Sequence, residues 1–282
     1  MDREKNRRLI KRVFIEGRGR VIARPLYQSV IAAELAAHRV MDTLLPKAPG
    51  DPAFLNENLT AVIKTFERPK VLARLVRSIR RFYPELRIVV VDDSRAPEPL
   101  EGVETYTLPY DSGVAAGRNA GVARVETPYL LLLDDDFVFY RATRLAPALA
   151  RLDAEPAIDI MGGIPVNLPF YGVTDYRRAS LFPSSLKPLY PAGATLAGLP
   201  VLDKVAQFYI ARTESIRKVL WDENLKRIDH ADFFTRAKGV LTSVLNPGLR
   251  CLHAKTPFDE AYMRIRQDKG DFAYLRKKYY GA

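Results

Sequence analysis

Residues 129–140 read YLLLLDDDFVFY. Four leucines lead into Asp134, Asp135 and Asp136, and Phe137, Val138, Phe139 and Tyr140 resume the apolar run at once. A short apolar run bounded in this way predicts a strand buried on both faces. The three carboxylates at its end need positive partners, because an isolated desolvated carboxylate costs more than a domain's net stability. Hard divalent cations take carboxylate oxygens, and Mg²⁺ or Mn²⁺ is held by one or two carboxylates plus substrate phosphates. In a parallel α/β sheet, ligands gather at the C-terminal ends of the strands. The competing reading is an acidic surface turn paired with some of the chain's many arginines. The apolar residues on both sides of the cluster favour the cation.

The neighbouring segments alternate between strand and helix patterns. Residues 59–64 (LTAVIK) predict a strand, and TFERP turns the chain into a helix with Pro69 near its first position. Val71, Leu72, Leu75, Val76, Ile79 and Phe82 recur at helical spacing, with Lys70, Arg74, Arg77, Arg80 and Arg81 on the other face, until Pro84. Residues 86–91 (LRIVVV) predict a second buried strand running into Asp92, Asp93 and Ser94, and residues 103–108 a third, weaker one. A loop carrying Gly113 and Gly117 opens an alanine-rich helix ending before Pro128. Gly113, Gly117 and the helix N-terminus suit either close helix packing or backbone donors near a diphosphate. The spacing is neither GxGxxG nor Walker A. The succession predicts a mostly parallel central sheet flanked by helices, an α/β fold of the Rossmann-like nucleotide-binding kind.

Later segments are less regular. Residues 144–152 predict a short helix, 158–164 and 205–211 strands, and 213–219 a further short helix. Residues 167–200 hold several prolines and glycines, the mark of a binding loop or lid. At the other end, eight of the first 20 residues are Lys or Arg against three acids, and residues 27–45 predict a helix. Such a basic segment suits an anionic membrane surface, or a solvated helix packed on the main domain. Residues 258–280 are basic and aromatic. Three parts follow: a basic N-terminal helical extension over 1–58, a catalytic domain over 59–257, and a helical tail over 258–282.

Composition sets the outer limits. The chain has 282 residues, 48% of them apolar, enough to bury a full core. Cys251 is the single cysteine, which excludes an internal disulfide and, with three histidines, a Cys/His zinc cluster. A reducing cytoplasm, with peripheral membrane contact at its inner face, is the expected setting. A net charge of +11 suits phosphorylated ligands, acidic glycans or anionic lipid. It equally suits a basic polyanion- or nucleic-acid-binding protein with a non-catalytic acidic cluster, but no nucleic-acid reading module is visible and none is expected to bind. Metal-dependent phosphoryl hydrolysis is a third class open to an acidic cluster.

The order of motifs is more specific than any one of them: KTFERPKVLARLVRSIRRFYP, VVVDDS, AAGRNAGVARVETPYLLLLDDDFVF, DIMGGI, QFYIARTESIRKV, then DHADFF and LHAK. This order resembles the nucleotide-sugar-dependent glycosyltransferases of the GT-A fold, family-2-like. The likeness is greatest to the catalytic domain of the ganglioside β-1,4-N-acetylgalactosaminyltransferases, over roughly residues 59–255. The resemblance implies a UDP-sugar donor, Mn²⁺ or Mg²⁺, and a glycan or glycolipid acceptor. It implies that Thr65 and Arg68 line the nucleotide side, that Asp92 and Asp93 hold uracil and ribose, and that Gly117 and Arg118 meet the diphosphate. Asp134, Asp135 and Asp136 resemble the DXD element, with Asp134 and Asp136 at the ribose and cation and His253 completing the metal site. Asp232 falls at the catalytic carboxylate position, where the ganglioside enzymes carry glutamate. One metal cluster and one base carboxylate suit an inverting single displacement. Read without the resemblance, Asp232 is better explained as a helix N-cap than as a base.

Overall fold

The protein is described from a computed structural model covering residue 15 and residues 17–44, 51–265 and 270–281. The basic residues Arg3, Lys5, Arg7, Arg8, Lys11 and Arg12 of the N-terminal segment lie outside the described residues. The strands are Leu59–Thr65 (β1), Arg87–Asp92 (β2), Glu104–Thr107 (β3), Tyr129–Asp134 (β4), Phe137–Val138 (β5) and Ile160–Asn167 (β6). They continue with Thr195–Leu196 (β7), Leu199–Pro200 (β8), Tyr209–Arg212 (β9) and Ser243–His253 (β10). The main sheet runs β3-β2-β1-β4-β9-β6-β10-β5. Strands β3, β2, β1 and β4 are parallel, β9 is antiparallel to both β4 and β6, and β5 closes the far edge antiparallel to β10. The mostly parallel sheet expected from the alternating pattern is therefore present.

The leucine run sits at the centre because both of its faces are covered. Successive strand side chains point to opposite faces. Leu131 and Leu133 pack with Ile63, Val90 and the apolar stripe Leu72, Leu75, Val76 and Ile79. That stripe belongs to helix Pro69–Phe82, which starts on Pro69 as the fixed φ of proline allows. Leu130 and Leu132 pack on the other face with Val62, Ala115, Val122, Trp221 and Phe233. Helix Val114–Val122 comes close to the sheet on this side because Gly121 lies over Val62, where an added Cβ would meet Val62 Cγ1 at 2.5 Å.

Four sequence readings change in the structure. Residues 129–140 form two strands, not one: the chain leaves the ladder at Asp135 and Asp136, which turn onto Arg68, and Phe137–Val138 pairs with β10 instead. The expected strand over 205–211 begins only at Tyr209. The helix expected over 27–45 begins at Arg20 and is described to Leu44, with Pro25 inside its early turns. Strand β10 was not anticipated; Asn246, Pro247 and Gly248 form an irregularity between Leu245 and Arg250 within one long strand.

The flanking segments pack onto this frame. Ile31 and Leu35 of helix Arg20–Leu44 are buried with Val138, Val166, Leu168, Leu252 and Ala254. The loop over 167–200 carries a short 3₁₀ turn at Tyr176–Arg178 and the β7–β8 hairpin, with Leu199 buried in the core. Among the described residues no helix is long and apolar enough to cross a membrane.

Gly163 shows how tightly β6 is held. A Cβ there would stand 2.6 Å from Phe208 Cδ1 and 2.8 Å from the Leu249 carbonyl oxygen. The ring is fully buried, so Gly163→Ala is expected to cost about 1–3 kcal/mol by overpacking and to lower the melting temperature. An unchanged thermal transition would show that β6 has room to move.

Candidate active site

A pocket of about 480 Å³ opens at the C-terminal ends of β1 and β4. Its walls carry Lys64, Arg68, Arg118, Lys226, Arg227 and Lys255 against Asp134, Asp135, Asp136 and Asp229. Cations therefore outnumber carboxylates by two, which favours a polyanionic occupant.

Each aspartate of the cluster has a different set of partners. Asp135, only 1% exposed, accepts from Thr65 Oγ1 at 2.8 Å and faces the Arg68 guanidinium with both oxygens. Asp136 stands 3.4 Å from Arg68 Nη1 and 3.2 Å from His253 Nε2. Asp134 accepts from Arg118 Nη2 at 2.8 Å, while the other arm of Arg118 reaches Asp229. Burial pushes the Asp135 carboxyl up, to about 6, against the opposing charge of Arg68.

Local structure explains how these groups converge. Arg68 precedes the helix that starts at Pro69, so its side chain reaches back over the end of β4, with Tyr262 stacked 3.7 Å from its guanidinium carbon. Gly113, at φ +100°, makes the turn into helix Val114–Val122, which carries Arg118 inward to 4% exposure. Asp93 fixes that turn from below: it accepts from Gly113 N at 2.8 Å and pairs with Lys64. Gly117 leaves the space that the Lys64 stem occupies.

Of the residues expected from sequence, Arg68, Arg118, Asp134, Asp135, Asp136 and His253 come together in the pocket wall. Thr65, Asp92, Asp93 and Gly117 lie behind it. Asp93 holds Lys64 and Thr65 holds Asp135, so these two act on wall residues, whereas Asp92 accepts from Ser94 N at 2.8 Å, away from the wall.

Asp232 is not among the residues lining the pocket. It is fully buried in helix His230–Ala237, where Lys278 Nζ (2.6 Å) and Tyr279 Oη (2.7 Å) donate to one oxygen and Arg236 Nε (2.8 Å) to the other. The N-cap position of that helix belongs to Asp229, three residues earlier. Asp229 does line the pocket, beside His230. The His230 Nε2 lies 2.6 Å from the Val205 carbonyl, which can only accept, so this nitrogen carries the proton. Burial pushes the imidazole down to about 3, leaving the ring neutral.

Sequence reasoning missed Lys64, Phe66, Gln207, Lys226, Arg227, Asp229 and Tyr262 as wall residues. Asp229 and Gln207 stood in plain view, in DHADFF and QFYIART. Lys226 and Arg227 carried no pattern, and Tyr262 belongs to the segment assigned to a tail.

Among the described residues, no three His, Cys, Asp or Glu side chains converge closely enough to hold a metal ion alone. The Asp136–His253 pair still offers one hard oxygen and one imidazole nitrogen on the pocket wall, donors that suit Mn²⁺. Two protein donors fit a cation whose remaining positions are filled by phosphate oxygens and water.

The chain is similar to known proteins in sequence and in fold. The chain is 36% identical over 228 residues to rat β-1,4 N-acetylgalactosaminyltransferase 1, covering 72% of this chain and 43% of that protein. It is 33% identical over 215 residues to mouse β-1,4 N-acetylgalactosaminyltransferase 2, covering 74% and 42%. The chain thus spans less than half the length of the curated relatives it matches. S. aureus TarS, solved in complex with UDP-GlcNAc, superposes with a TM-score of 0.53 at 18% identity, over 69% of this chain and 58% of that one. The mannosyltransferase PcManGT from Pyrobaculum calidifontis, solved with GDP-Man and Mn²⁺, gives 0.51 at 16% identity, over 89% and 76%. Both share the fold. Residues 60–220, more than half of the chain, match the family described as Glycosyl transferase family 2, and the chain belongs to that family.

Proposed function

We propose that this protein transfers a sugar, an N-acetylhexosamine or hexose, from a UDP-sugar to a hydroxyl of a glycan or glycolipid, by an inverting single displacement with a divalent cation. The observation that carries the reading is the cation-rich pocket at the ends of β1 and β4, with the Asp136–His253 pair on its wall. The names of the relatives support an N-acetylhexosamine, and the UDP-GlcNAc complex of TarS supports the donor class. The same reading makes residues 59–257 the catalytic unit, with helical additions on both sides. The 258–282 addition supplies Tyr262 and Ile265 to the pocket wall.

Each wall residue has a task in this reaction. Departure of UDP builds negative charge on the diphosphate, and Arg118, Lys226, Arg227 and Lys255 face it with positive charge already in place. Asp136 and His253 would hold the cation; Asp134, engaged by Arg118, would join them only by giving up that pair. When bound, the cation supplies Lewis acidity to the departing diphosphate. Phe66, with Lys64 above its ring at 4.8 Å, offers an apolar face at the β1 end for the base.

The acceptor hydroxyl must give up its proton to a carboxylate within reach. Asp229 lines the pocket, whereas both oxygens of Asp232 are bonded to side chains outside it, so we give the base role to Asp229. An acidic acceptor fits the surplus of cations.

Two measurements test this. UDP with Mn²⁺ is expected to raise the melting temperature of the wild type, and Asp136→Ala to abolish the manganese-dependent part; a full shift in that variant would remove Asp136 from the cation site. Asp229→Asn is expected to lower transfer by about 10²–10⁴-fold while keeping the UDP–Mn²⁺ shift. Asp232→Asn is expected to lower the melting temperature and keep transfer in the folded fraction. The opposite pattern would return the base role to Asp232.

A further inference from the structure

Gln207 is a pocket-lining residue whose carboxamide is unused. The side chain is 8% exposed, and neither its oxygen nor its nitrogen has a hydrogen-bond partner although both atoms are buried. A buried amide left in that condition is a cost to the folded protein, which a ligand offering both a donor and an acceptor removes.

Its place on the rim indicates which part of a ligand that is. Strand β9 runs antiparallel to β4, and their ladder ends with Leu132 opposite Tyr209; Gln207 lies in the bend two residues before Tyr209, and it lines the same pocket as Asp134, two residues beyond Leu132. Across the sheet the order is β1, β4, β9, so the end of β4 at Asp134 has Lys64 of β1 on one side and the segment leading into β9, which carries Gln207, on the other. A donor whose diphosphate lies over the β4 end, with its nucleoside toward Phe66 and Lys64, therefore directs its sugar toward Gln207. The backbone there is anchored on both sides: the Phe208 carbonyl accepts from Gly163 N at 2.8 Å, and the Val205 carbonyl from His230. Asp229 and His230 complete this end of the pocket.

We infer that Gln207 determines donor-sugar specificity by gripping two adjacent hydroxyls of the transferred sugar. One hydroxyl donates to Oε1 and its neighbour accepts from Nε2. The carboxamide is neutral and has one accepting and one donating end. A phosphate or carboxylate would only accept and a cation would repel the amide N–H, whereas a vicinal diol satisfies both ends. The inference rests on the UDP-sugar reading above and adds to it the residue that reads the sugar.

The test compares Gln207→Leu with the wild-type full chain by calorimetric titration in Mn²⁺. The probes are UDP and whichever of UDP-glucose, UDP-galactose and their N-acetylated forms the wild type binds most tightly. The expected result is unchanged affinity for UDP, roughly tenfold weaker binding of the UDP-sugar, and a ligand-free melting temperature at or above that of the wild type, since leucine removes an unpaired polar group. Equal losses for UDP and UDP-sugar, or no loss for either, would overturn the inference while leaving the donor reading intact. A melting temperature well below the wild type's would make Gln207 a scaffold residue and overturn it too. A wild type that binds UDP but no UDP-sugar would bring down the donor reading itself, and this inference with it.

Discussion

The rim of the sheet depends on the pairing of Arg68 with Asp135. Both are almost wholly buried, at 7% and 1% exposure, and they face each other through two guanidinium nitrogens and both carboxylate oxygens. Removing one member of such a pair strands the other in a medium that cannot solvate it, at a cost of about 3–5 kcal/mol. The pair also ties the start of the helix after β1 to the end of β4, because Arg68 is the residue just before Pro69. Geometry that a ligand needs is thus fixed before the ligand arrives, which is what charge stabilisation in a transition state requires.

With Asp135 held in that pairing, its neighbours take partners of their own. Asp134 is the last residue of β4 and turns to Arg118; Asp136 lies beyond the ladder and turns to His253 at the end of β10. Three consecutive identical residues therefore occupy three environments, because leaving the strand changes the direction of each successive side chain. The middle one holds the wall together and the outer two face the pocket, with Asp134 39% exposed at its side chain.

How much of this could be read in advance follows from what each signal encodes. Strands β1, β2 and β4 were legible because strands covered on both faces must be continuously apolar, and their sequences are. Strand β10 was not: the Asn-Pro-Gly that reads as a turn sits in an irregularity where Gly248 N bonds Asn246 Oδ1 at 2.9 Å, and only the partner β6 reveals the strand on both sides. Arg68, Arg118, Asp136 and His253 could be named because they sit in motifs with fixed order. Asp229 and Asp232 share one motif, and their division depends on which helix face meets the pocket. No spacing argument separates an N-cap that lines the pocket from a carboxylate three residues later that faces Lys278 and Tyr279.

The same buried Asp232 shows why the C-terminal segment belongs to the working protein. Helix Gly270–Tyr280 is held to the body by Lys278 and Tyr279 on Asp232, and at its other end by Asp271, 3% exposed, whose carboxylate accepts from the backbone N–H groups of Lys226, Arg227 and Ile228. Lys226 and Arg227 belong to the basic wall of the pocket, and the Lys226 carbonyl in turn accepts from Val114 N at the start of the helix that carries Arg118. Charge-assisted bonds to Asp271 and one backbone bond to Val114 therefore lead from the last helix, through a loop with no regular structure of its own, to the start of the helix that carries the arginine between Asp134 and Asp229. Loops that carry function need a rigid support, and here the support is drawn from the far end of the chain. The position of the pocket's cations is consequently a property of the whole fold, set as much by residues after 270 as by the acidic run at 134.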